Sequence, residues 1–323
     1  MSTSQRKMTA GVDLGGTKIQ TVVLDQEKVA GSSRVLTPHT GKPDDVIKAI
    51  STTVRESLEQ ASATEHDLAA VGIGTPGEID PEAGAVLLAA NIPGFTERVE
   101  LGPLVSKRLG GVQVKVDNDV RVGLLGEYKR GAGRPYKDLA GVWVGTGVGG
   151  GLIIDGHLRE GRGAAGEFGH TVVKPGGRRC SCGRSGCVEA YAGRACMQRR
   201  AHRLMEAGEE TDLFRIMKKR GRKYLSSGVY ARALKNGDPM TATLIHQATW
   251  ALGVAIASAQ NLLDLEAIIL GGGLSDRLGQ PFVDRVIEQM TPHLFVPDKP
   301  PAVLGTELKD LSGAVGAAVL AGG

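Results

Sequence analysis

The most constrained stretch of the chain reads Gly166-Glu167-Phe168-Gly169-His170 and resumes as Cys180-Ser181-Cys182-Gly183-Arg184-Ser185-Gly186-Cys187-Val188-Glu189. Three cysteines fall within eight residues, and the histidine precedes the first cysteine by ten positions. Thiolate and imidazole ligands suit a tetrahedral zinc ion, and four protein ligands leave that ion no open position. The spacing therefore predicts a structural zinc site.

Two other interpretations of the cysteines are open. They could be ordinary reduced thiols beside a surface histidine. A disulfide is a weaker alternative, because Cys180 and Cys182 are too close in sequence to pair easily and the chain shows no secretory leader. The fourth cysteine, Cys196, lies on a predicted helix and is expected to be a buried apolar residue, not a ligand.

Carboxylates flank the predicted zinc site on both sides. Glu167 lies three residues before His170, and Glu189 lies two residues after Cys187. A zinc loop would hold both carboxylates in fixed positions, where each can accept charge-assisted hydrogen bonds from sugar hydroxyls. Taken alone, the stretch is explained equally well by two solvated surface glutamates.

The length, charge and hydropathy of the whole chain limit the class of protein it can be. Its 323 residues are enough for two lobes with a large core, and its formal charge is only +4. Basic residues concentrate at 199–200 and 218–223, as expected of a solvated helix face, so nucleic acid is not the expected partner. No apolar run approaches the length of a membrane span, which predicts no membrane partner and a cytoplasmic location.

A glycine hairpin is predicted near the N-terminus, where Asp13-Leu14-Gly15-Gly16-Thr17-Lys18 separates two apolar runs and a third strand follows near 28–36. The amides of Gly15 and Gly16 and the hydroxyl of Thr17 could face a phosphate, and Asp13 could hold Mg²⁺ through water. A hairpin with an uninvolved aspartate is the alternative. The GxxxxGK[ST] pattern is missing, which disfavours the P-loop fold.

A second glycine hairpin repeats this design about 130 residues later. A predicted strand at 139–144 leads into Gly145-Thr146-Gly147-Val148-Gly149-Gly150-Gly151, and a strand at 152–156 is expected to follow. The repetition suggests two related halves that face one nucleotide, with one turn for each phosphate group. A third glycine turn, Gly271-Gly272-Gly273, follows a predicted strand at 265–270 and could admit adenine or ribose against backbone.

Polar residues mark two further places. Asp117-Asn118-Asp119 lies between a predicted strand at 112–116 and a predicted helix at 120–130, where a helix dipole would keep Asp119 ionised for catalysis. Helix capping is the competing role, and one residue can cap while another faces substrate. Asn91, in the loop Asn91-Ile92-Pro93-Gly94, can both donate to and accept from a sugar hydroxyl, although a turn role is common for asparagine.

Periodic apolar residues predict the remaining elements. Helices are expected at 43–61, 101–109, 191–207, 212–236, 238–262, 281–290 and 312–320, and a buried strand at 71–77.

With these motifs in view, the chain resembles the ROK family of sugar kinases, and most of all the bacterial ROK glucokinases. The resemblance runs from about Gly11 to the C-terminus. Single glycine turns are weak evidence, but their order together with the cysteine run is specific. The matching motifs are 13–18, Thr75-Pro76-Gly77, 118–119, 145–151, 166–170, Cys-x-Cys-Gly-x-x-Gly-Cys-x-Glu at 180–189 and 271–273.

The resemblance implies an α/β, actin-like (ribonuclease H-like) ATPase fold with two lobes, a central cleft and a structural zinc site. The small N-terminal lobe would span residues 1–117, completed by a C-terminal helix at about 305–323. The large lobe would span 118–304 and carry the zinc segment and the nucleotide site. A homodimer or homotetramer is expected.

The resemblance also implies roles for individual residues. Asp119 corresponds to the catalytic base. The sugar-binding residues would be Asn91, Asn118, Asp119, Glu167, His170 and Glu189. The zinc ligands would be His170, Cys180, Cys182 and Cys187. ATP and Mg²⁺ would be bound by Asp13, Gly15, Gly16, Thr17, Lys18, Gly145, Thr146, Gly147, Gly149, Gly271, Gly272 and Gly273.

The function implied is ATP-dependent phosphorylation of the glucose 6-hydroxyl, a step of glycolysis and carbohydrate metabolism. Another hexose (N-acetylglucosamine, N-acetylmannosamine, mannose, fructose or allose) is the nearest alternative. A non-catalytic sugar sensor would be expected to lack Asp119 or a phosphate turn. A zinc-dependent hydrolase is disfavoured, because the predicted zinc has no position for water. Family repressors carry an additional N-terminal helix-turn-helix domain; because the motifs that resemble the kinases begin within about a dozen residues of Met1, a repressor role is not expected.

Overall fold

The computed structural model describes residues 7–89 and 91–323. Two compact units make up the chain: Met1–Arg134 together with Asp310–Gly323, and Pro135–Lys309. Each unit has its own cluster of buried apolar side chains. The lobe boundaries expected from the sequence, after residue 117 and before residue 305, remain a prediction.

The first unit is built on a five-stranded sheet in the order β3-β2-β1-β4-β7. The β1–β2–β3 part is antiparallel, and β4 and β7 run parallel to β1. Its elements up to residue 134 are β1 Met8–Leu14, β2 Lys18–Asp25, β3 Lys28–Leu36, α1 Pro43–Gln60, β4 Leu68–Thr75, β5 Glu78–Asp80, β6 Ala85–Leu88, α2 Leu101–Arg108, β7 Gln113–Asn118 and α3 Asp119–Arg130.

The second unit has a sheet of the same design, in the order β10-β9-β8-β11-β12. An antiparallel β8–β9–β10 part is again followed by two parallel strands. Its elements are β8 Leu139–Val144, β9 Val148–Ile154, β10 His157–Leu158, α4 Glu189–Ala192, α5 Arg194–Glu206, α6 Leu213–Lys219, α7 Ser227–Lys235, α8 Pro239–Leu263, β11 Ala267–Gly271, α9 Gly272–Leu278, α10 Gln280–Met290 and β12 Ala302–Gly305.

The chain then returns to the first unit with α11, Ser312–Gly322. This helix packs its backbone directly on the sheet and on α3. A Cβ added at Gly72 of β4 would lie 1.8 Å from the Ala317 carbonyl oxygen, and one at Gly11 of β1 would lie 2.0 Å from that of Ala314. Glycines on the strands therefore permit a close helix-to-sheet contact.

The repeated sheet confirms the prediction of two related halves, and most predicted helices and strands end within two residues of the observed ones. The predicted helix at 212–236 is wrong in its middle, because residues 220–226 separate α6 from α7. The short strands β5, β6 and β12 were not predicted. Each has only three or four residues, too few for a periodic pattern to be recognised.

The predicted turn at 145–151 is also wrong in length. The structure has a turn only at 145–147, and Gly149, Gly150 and Gly151 belong to β9, which begins at Val148. Likewise, Gly272 and Gly273 open a helix and do not form a turn. In both places a run of glycines was interpreted as loop, although here the glycines make room for neighbouring chain segments.

Helix α8 is the core helix of the second unit. Pro239 occupies its first turn, and the Asp238 carboxylate caps it by accepting a hydrogen bond from the Thr241 amide at 2.7 Å. In the described part of the chain it is the single helix long and apolar enough to cross a membrane by length and composition. However, 67% of its most apolar window is buried inside the protein. The expectation that no run reaches this length was therefore too strict.

Candidate active site

The first unit gathers polar residues at one edge of its sheet. The parallel register places Asp13 of β1 beside Gly74 of β4, and Thr75 of β4 beside Asn118 of β7. Because the carboxyl ends of parallel strands meet at the same edge, Asp13 and Asp119 lie close enough for their charges to interact.

The three polar residues at 117–119 have three different roles. Asp117 is buried and forms an ion pair with Arg121, whose Nε donates at 3.0 Å. Asn118 is the N-cap of α3, since its side-chain oxygen accepts hydrogen bonds from the amides of Val120 and Arg121 at 3.0 and 3.3 Å. Only the Asn118 amide nitrogen is therefore left for a ligand. Asp119 accepts one bond from the Val120 amide and has no cationic partner among the described ion pairs.

The surroundings of Asp119 favour its neutral form. Burial raises its pKa to about 7, and the nearby Asp13 carboxylate adds to the rise. Burial also raises the pKa of Asp13 to about 6, against the opposing charge of Lys18. The expected effect of the helix dipole, which would keep Asp119 ionised, is thus outweighed by burial. A carboxylate with a pKa near neutrality is suited to accept and release a proton.

The glycine hairpin at 14–18 is compact and touches the loop that holds Asn91. The Gly15 amide donates to the Lys18 carbonyl at 2.9 Å, and Thr17 is exposed. A Cβ at Gly16 would lie 2.3 Å from the Asn91 carbonyl oxygen, so Asn91 packs its backbone on this hairpin. The exposed Asn91 side chain makes no hydrogen bond or ion pair with residues 7–89 or 92–323. Lys18 lies 3.8 Å from Asp310 in a loose ion pair.

The corresponding turn of the second unit is held by two side chains, of which only one was predicted to be functional. Arg194 was not predicted to have a role, but its Nε donates to the Gly145 carbonyl at 3.0 Å and its Nη2 to the Thr146 hydroxyl at 3.2 Å. Glu189 accepts a hydrogen bond from the Val148 amide at 3.0 Å. The turn at 145–147 is therefore fixed by a guanidinium on one side and a carboxylate on the other.

One sequence feature could have revealed Arg194. It is the first residue of α5, directly after Gly193. A cation is unfavourable at the positive end of a helix, so an arginine there indicates a partner outside the helix. Here that partner is the turn.

The glycines of β9 accommodate a crossing segment. A Cβ at Gly150 would lie 2.4 Å from the Gly166 carbonyl oxygen and 2.6 Å from the Phe168 ring. A Cβ on Gly169 would likewise lie 1.9 Å from the Val148 carbonyl oxygen. Segment 166–169 therefore lies directly against β9. Gly149 pairs with Trp143 of β8 and lies outside the turn.

The third glycine motif lies against the same turn. Gly272 has a positive φ of 84°, and a Cβ on it would lie 2.7 Å from the Val144 amide nitrogen. Since Val144 directly precedes Gly145, the structure brings the start of α9 to the 145–147 turn. Gly271 packs on the Trp143 ring, and Gly273 approaches the Ser227 hydroxyl.

The predicted zinc ligands form one cluster. Their ligand atoms all lie within 4.8 Å of one another, and the four residues are His170, Cys180, Cys182 and Cys187. The His170 Nδ1 is 3.8 Å from the Cys180 Sγ, and the Cys182 and Cys187 sulfurs are 3.9 Å apart. These separations exclude a disulfide, whose sulfurs are about 2.05 Å apart. They match the roughly 3.8 Å expected between two sulfurs that each lie about 2.3 Å from a tetrahedral zinc.

Residues proposed to bind sugar flank this cluster. His170 ends a single 3₁₀ turn that begins after Glu167, and its amide donates to the Glu167 carbonyl at 3.0 Å. The Glu189 carboxylate lies 3.7 Å from the Cys180 sulfur and also accepts a hydrogen bond from the Ser181 hydroxyl. Ser181 was not singled out from the sequence. The exposed Glu167 side chain makes no hydrogen bond or ion pair with any other described residue, so its expected role depends on the resemblance alone.

Comparison with known proteins identifies the class to which this fold and these motifs belong. The ROK family model matches residues 9–323, and the chain belongs to the ROK family. The fold is accordingly the α/β actin-like fold of the ROK sugar kinases.

Particular members of the family give the comparison more detail. A glucokinase of Streptomyces coelicolor is 34% identical over 320 residues, covering 97% of both chains. The crystal structure of a ROK family glucokinase from Streptomyces griseus, in complex with glucose and AMPPNP, is 34% identical with a TM-score of 0.80, covering 97% of this chain and 99% of that one. An N-acetyl-D-glucosamine kinase of Pectobacterium carotovorum is 30% identical, covering 97% and 98%.

Proposed function

We propose that the protein is an ATP-dependent hexokinase that transfers the γ-phosphoryl group of ATP to the 6-hydroxyl of glucose, giving glucose 6-phosphate and ADP. The observation that carries this proposal is Asp119, an unpaired carboxylate whose pKa is raised to about 7 at the sheet edge. The similarity of the whole chain to glucokinases supports glucose as the acceptor.

Asp119 acts as general base in the proposed reaction. It accepts the proton of the sugar 6-hydroxyl as that oxygen attacks the γ-phosphorus, and the bond to the β,γ-bridging oxygen breaks. The neighbouring carboxylate of Asp117 is unsuited to this role, because its ion pair with Arg121 stabilises the ionised form and buries it. The choice of Asp119 over Asp117 thus follows from their different partners.

The phosphate groups of ATP are bound by the two glycine hairpins. Gly15, Gly16 and Thr17 offer amides and a hydroxyl in the first unit, while Gly145, Thr146 and Gly147 offer them in the second. Mg²⁺ enters with ATP as part of the substrate, and Asp13 and Lys18 are suited to contact its water shell and the phosphates. Gly271, Gly272 and Gly273 leave backbone open for the nucleoside, and Gly149 has a supporting place in β9.

The sugar is held by amide, carboxylate and imidazole groups from five side chains besides Asp119: Asn91, Asn118, Glu167, His170 and Glu189. Each carboxylate can accept two hydroxyl hydrogen bonds, and the Asn118 amide nitrogen can donate to the same sugar. Because Glu189 also holds the Val148 amide, a sugar bound to it would be linked through this side chain to the 145–147 turn.

Zinc fits the ligand cluster by donor type and by distance. It would be held by His170, Cys180, Cys182 and Cys187 as a structural ion that cross-links the loop. Burial raises the pKa of the Cys187 thiol to about 12, so a divalent cation would be needed to keep this thiolate charged inside the protein. With Nδ1 on the metal, the His170 Nε2 would remain to contact a sugar hydroxyl.

The substrate test is a phosphorylation panel. ADP release is followed at fixed MgATP with glucose, N-acetylglucosamine, N-acetylmannosamine, mannose, fructose or allose, and without sugar. The proposal expects the highest kcat/KM with glucose. A higher value for an N-acetylated sugar would favour the alternative acceptor that the Pectobacterium carotovorum relative suggests. No ADP release with any sugar would favour a sensor.

Location and assembly complete the proposal. The protein is proposed to act in the cytoplasm, where its nucleotide substrate is abundant, as a homodimer or homotetramer. Sedimentation velocity at micromolar concentration tests the assembly, and a species at the 33.8 kDa mass of one chain would contradict it.

A further inference from the structure

A cavity of about 570 Å³ in the second unit contains none of the residues assigned above to sugar, nucleotide or zinc. Its wall combines a loop with two helices: Lys174 and Arg178 come from the loop, Tyr191 from α4, and His246, Gln247 and Trp250 from α8. The volume falls within the range of roughly 300–1,000 Å³ that small-molecule sites occupy.

Arg178 is held rigidly at this cavity. Its guanidinium carbon lies 4.8 Å from the centroid of the Tyr191 ring, and its Nη2 donates to the Gln247 side-chain oxygen. Its own backbone amide donates to the Tyr191 hydroxyl at 3.1 Å. The guanidinium is therefore fixed by stacking and by hydrogen bonding, as in preformed anion sites.

One nitrogen of this fixed guanidinium has no partner. The Arg178 Nη1 atom is buried and makes no hydrogen bond within the described residues. A buried donor without an acceptor is unfavourable, by about 1–3 kcal/mol and more for a charged group. Because this nitrogen is shielded from solvent, a ligand would reach it only after a shift of neighbouring side chains, and its direct contacts would be with the atoms of Arg178 that line the cavity.

The charge around Arg178 is positive and uncompensated. Arg200 and Arg203 of α5 lie close enough to lower the pKa of Arg178, in addition to the larger effect of burial. The Arg200 Nε is also buried without a partner, and none of the ion pairs in residues 7–89 and 91–323 includes Arg178, Arg200 or Arg203. An anion would offset this repulsion, and exposed Lys174 adds a further cation at the rim.

The other wall of the cavity is aromatic. The Trp250 and Tyr191 rings meet edge to face, with centroids 5.5 Å apart and planes at 79°. The Tyr191 ring is buried and already stacked with Arg178, so the half-buried Trp250 ring is the one that can offer an apolar face to a ring-shaped ligand. The Gln247 amide beside it can donate to a hydroxyl.

We propose that this cavity is a second ligand site that binds a phosphorylated sugar, with the phosphate on Arg178 and Lys174 and the sugar ring against Trp250. The choice of glucose 6-phosphate as the probe rests on the proposed function, since that compound is its product. The site itself does not, because it shares no residue with the catalytic assignment.

The experiment uses Trp250 as a reporter. The chain has two tryptophans, so Trp143→Phe leaves Trp250 as the sole one. In this variant, glucose 6-phosphate is titrated with saturating glucose present to occupy the sugar-binding residues. Inorganic phosphate and additional glucose are titrated separately, and isothermal titration calorimetry supplies each Kd.

Three variants locate the binding. Arg178→Gln should weaken glucose 6-phosphate about tenfold or more, since it removes a charge-assisted contact. Lys174→Gln, at the exposed rim, should weaken it severalfold without a risk to folding. Lys218→Gln, an exposed lysine of α6 outside the cavity, is the matched control and should leave the Kd unchanged. The three variants and the Trp143→Phe parent should have the same circular dichroism spectrum.

The expected result is a saturable change in Trp250 fluorescence with glucose 6-phosphate, weaker with inorganic phosphate and missing with glucose alone. The proposal is overturned by an unsaturable response, or by a Kd that Lys174→Gln and Arg178→Gln leave unaltered. It is overturned equally if glucose 6-phosphate binds with a Kd that Asp119→Asn weakens and Arg178→Gln does not. Failure of the kinase panel would leave these readouts intact, so the two proposals fail separately.

Discussion

The β1–β2 hairpin and the β8–β9 hairpin occupy the same position in sheets of the same strand order, but their chemistry differs. Beside the first lie Asp13 and Asp119, two carboxyls whose pKa values burial raises to about 6 and 7. Beside the second lie Arg194 and Glu189, whose side chains hydrogen-bond to the turn itself. Beside the first hairpin the carboxyls have raised pKa values, which suits the proton transfer proposed for Asp119, whereas beside the second hairpin the charged side chains hold the backbone of the turn.

The proposed difference between the two hairpins is wrong if Asp119 is not needed for catalysis. Asp119→Asn removes the proposed base and should lower kcat by about 10²- to 10⁴-fold, with glucose affinity nearly unchanged. Steady-state kinetics and calorimetry of glucose binding measure the two effects. Asp117→Asn is a poor control, because it breaks the ion pair with Arg121. Asp298→Asn, at an exposed position in the second unit, is the better one, and it should keep full activity.

The Arg194→Gln variant tests whether the turn of the β8–β9 hairpin must be held in place for ATP to bind. The loss of two charge-assisted hydrogen bonds to Gly145 and Thr146 should lower kcat/KM for ATP about 10- to 100-fold, while glucose binding to the nucleotide-free protein changes little. Arg199→Gln lies on the same helix and serves as the control. An Arg194→Gln enzyme with an unaltered KM for ATP would remove Arg194 from the nucleotide site.

Removal of the metal tests whether the loop at 180–187 positions sugar-binding groups. Elemental analysis should find one zinc per chain. A chelated, metal-free protein should bind glucose at least tenfold more weakly, because His170 and Glu189 both flank Cys180. Return of zinc should restore the affinity. Equal glucose affinity with and without metal, in protein that remains folded, would contradict the coupling.

The glycines of the second hairpin divide into two kinds, which one pair of variants separates. Gly150→Ala places a methyl group against the Gly166 carbonyl and the Phe168 ring, and should lower the free energy of unfolding by about 1–3 kcal/mol. A Cβ at Gly145 would have its nearest neighbour at 3.9 Å, so Gly145→Ala should leave the free energy of unfolding unchanged. It should instead weaken ATP binding, if phosphate approaches this amide. Chemical denaturation and nucleotide titration together distinguish the two outcomes.

The smallest expected effect concerns pH. Asp119 has an ordinary pKa of 3.8 that folding raises to about 7, so the folded state holds this proton more tightly than the unfolded chain. Its contribution to stability is complete below about pH 4 and is lost as the pH rises towards 7. Asp119→Asn should therefore raise the free energy of unfolding at pH 8 by about 1 kcal/mol, a value discounted for partial exposure, and by nothing at pH 4. Equal effects at both pH values would refute the shift.

Much of the fold and the metal cluster could be predicted, because they depend on residues close in sequence. Strand, turn and strand alternate clearly at 8–25, and the four metal ligands lie within eighteen residues. The length of the turn that begins at Gly145 could not be predicted from the sequence. Glycine is typical both of turns and of strands that another segment crosses, and only the position of Phe168 on Gly150 separates the two cases.

The roles of individual charged residues were harder to predict for a related reason. Asp117, Asn118 and Asp119 follow one another in the sequence, yet one is paired with Arg121, one caps α3 and one is left without a cation. Which residue takes which role depends on side-chain direction at the β7–α3 junction. Arg194 and Ser181 were missed because their partners lie 48 and 8 residues away and carry no recognisable motif.

The return of the chain to its first unit has a consequence for biosynthesis. Helix α11 lies directly on Gly11, Gly72 and Gly126, so the first sheet keeps an uncovered face until that helix arrives. Residues 135–309 emerge from the ribosome in between and can fold as a unit while the earlier segment waits. A nascent chain stalled before residue 312 should accordingly be open to protease within its first 134 residues, while the later-made unit already resists digestion.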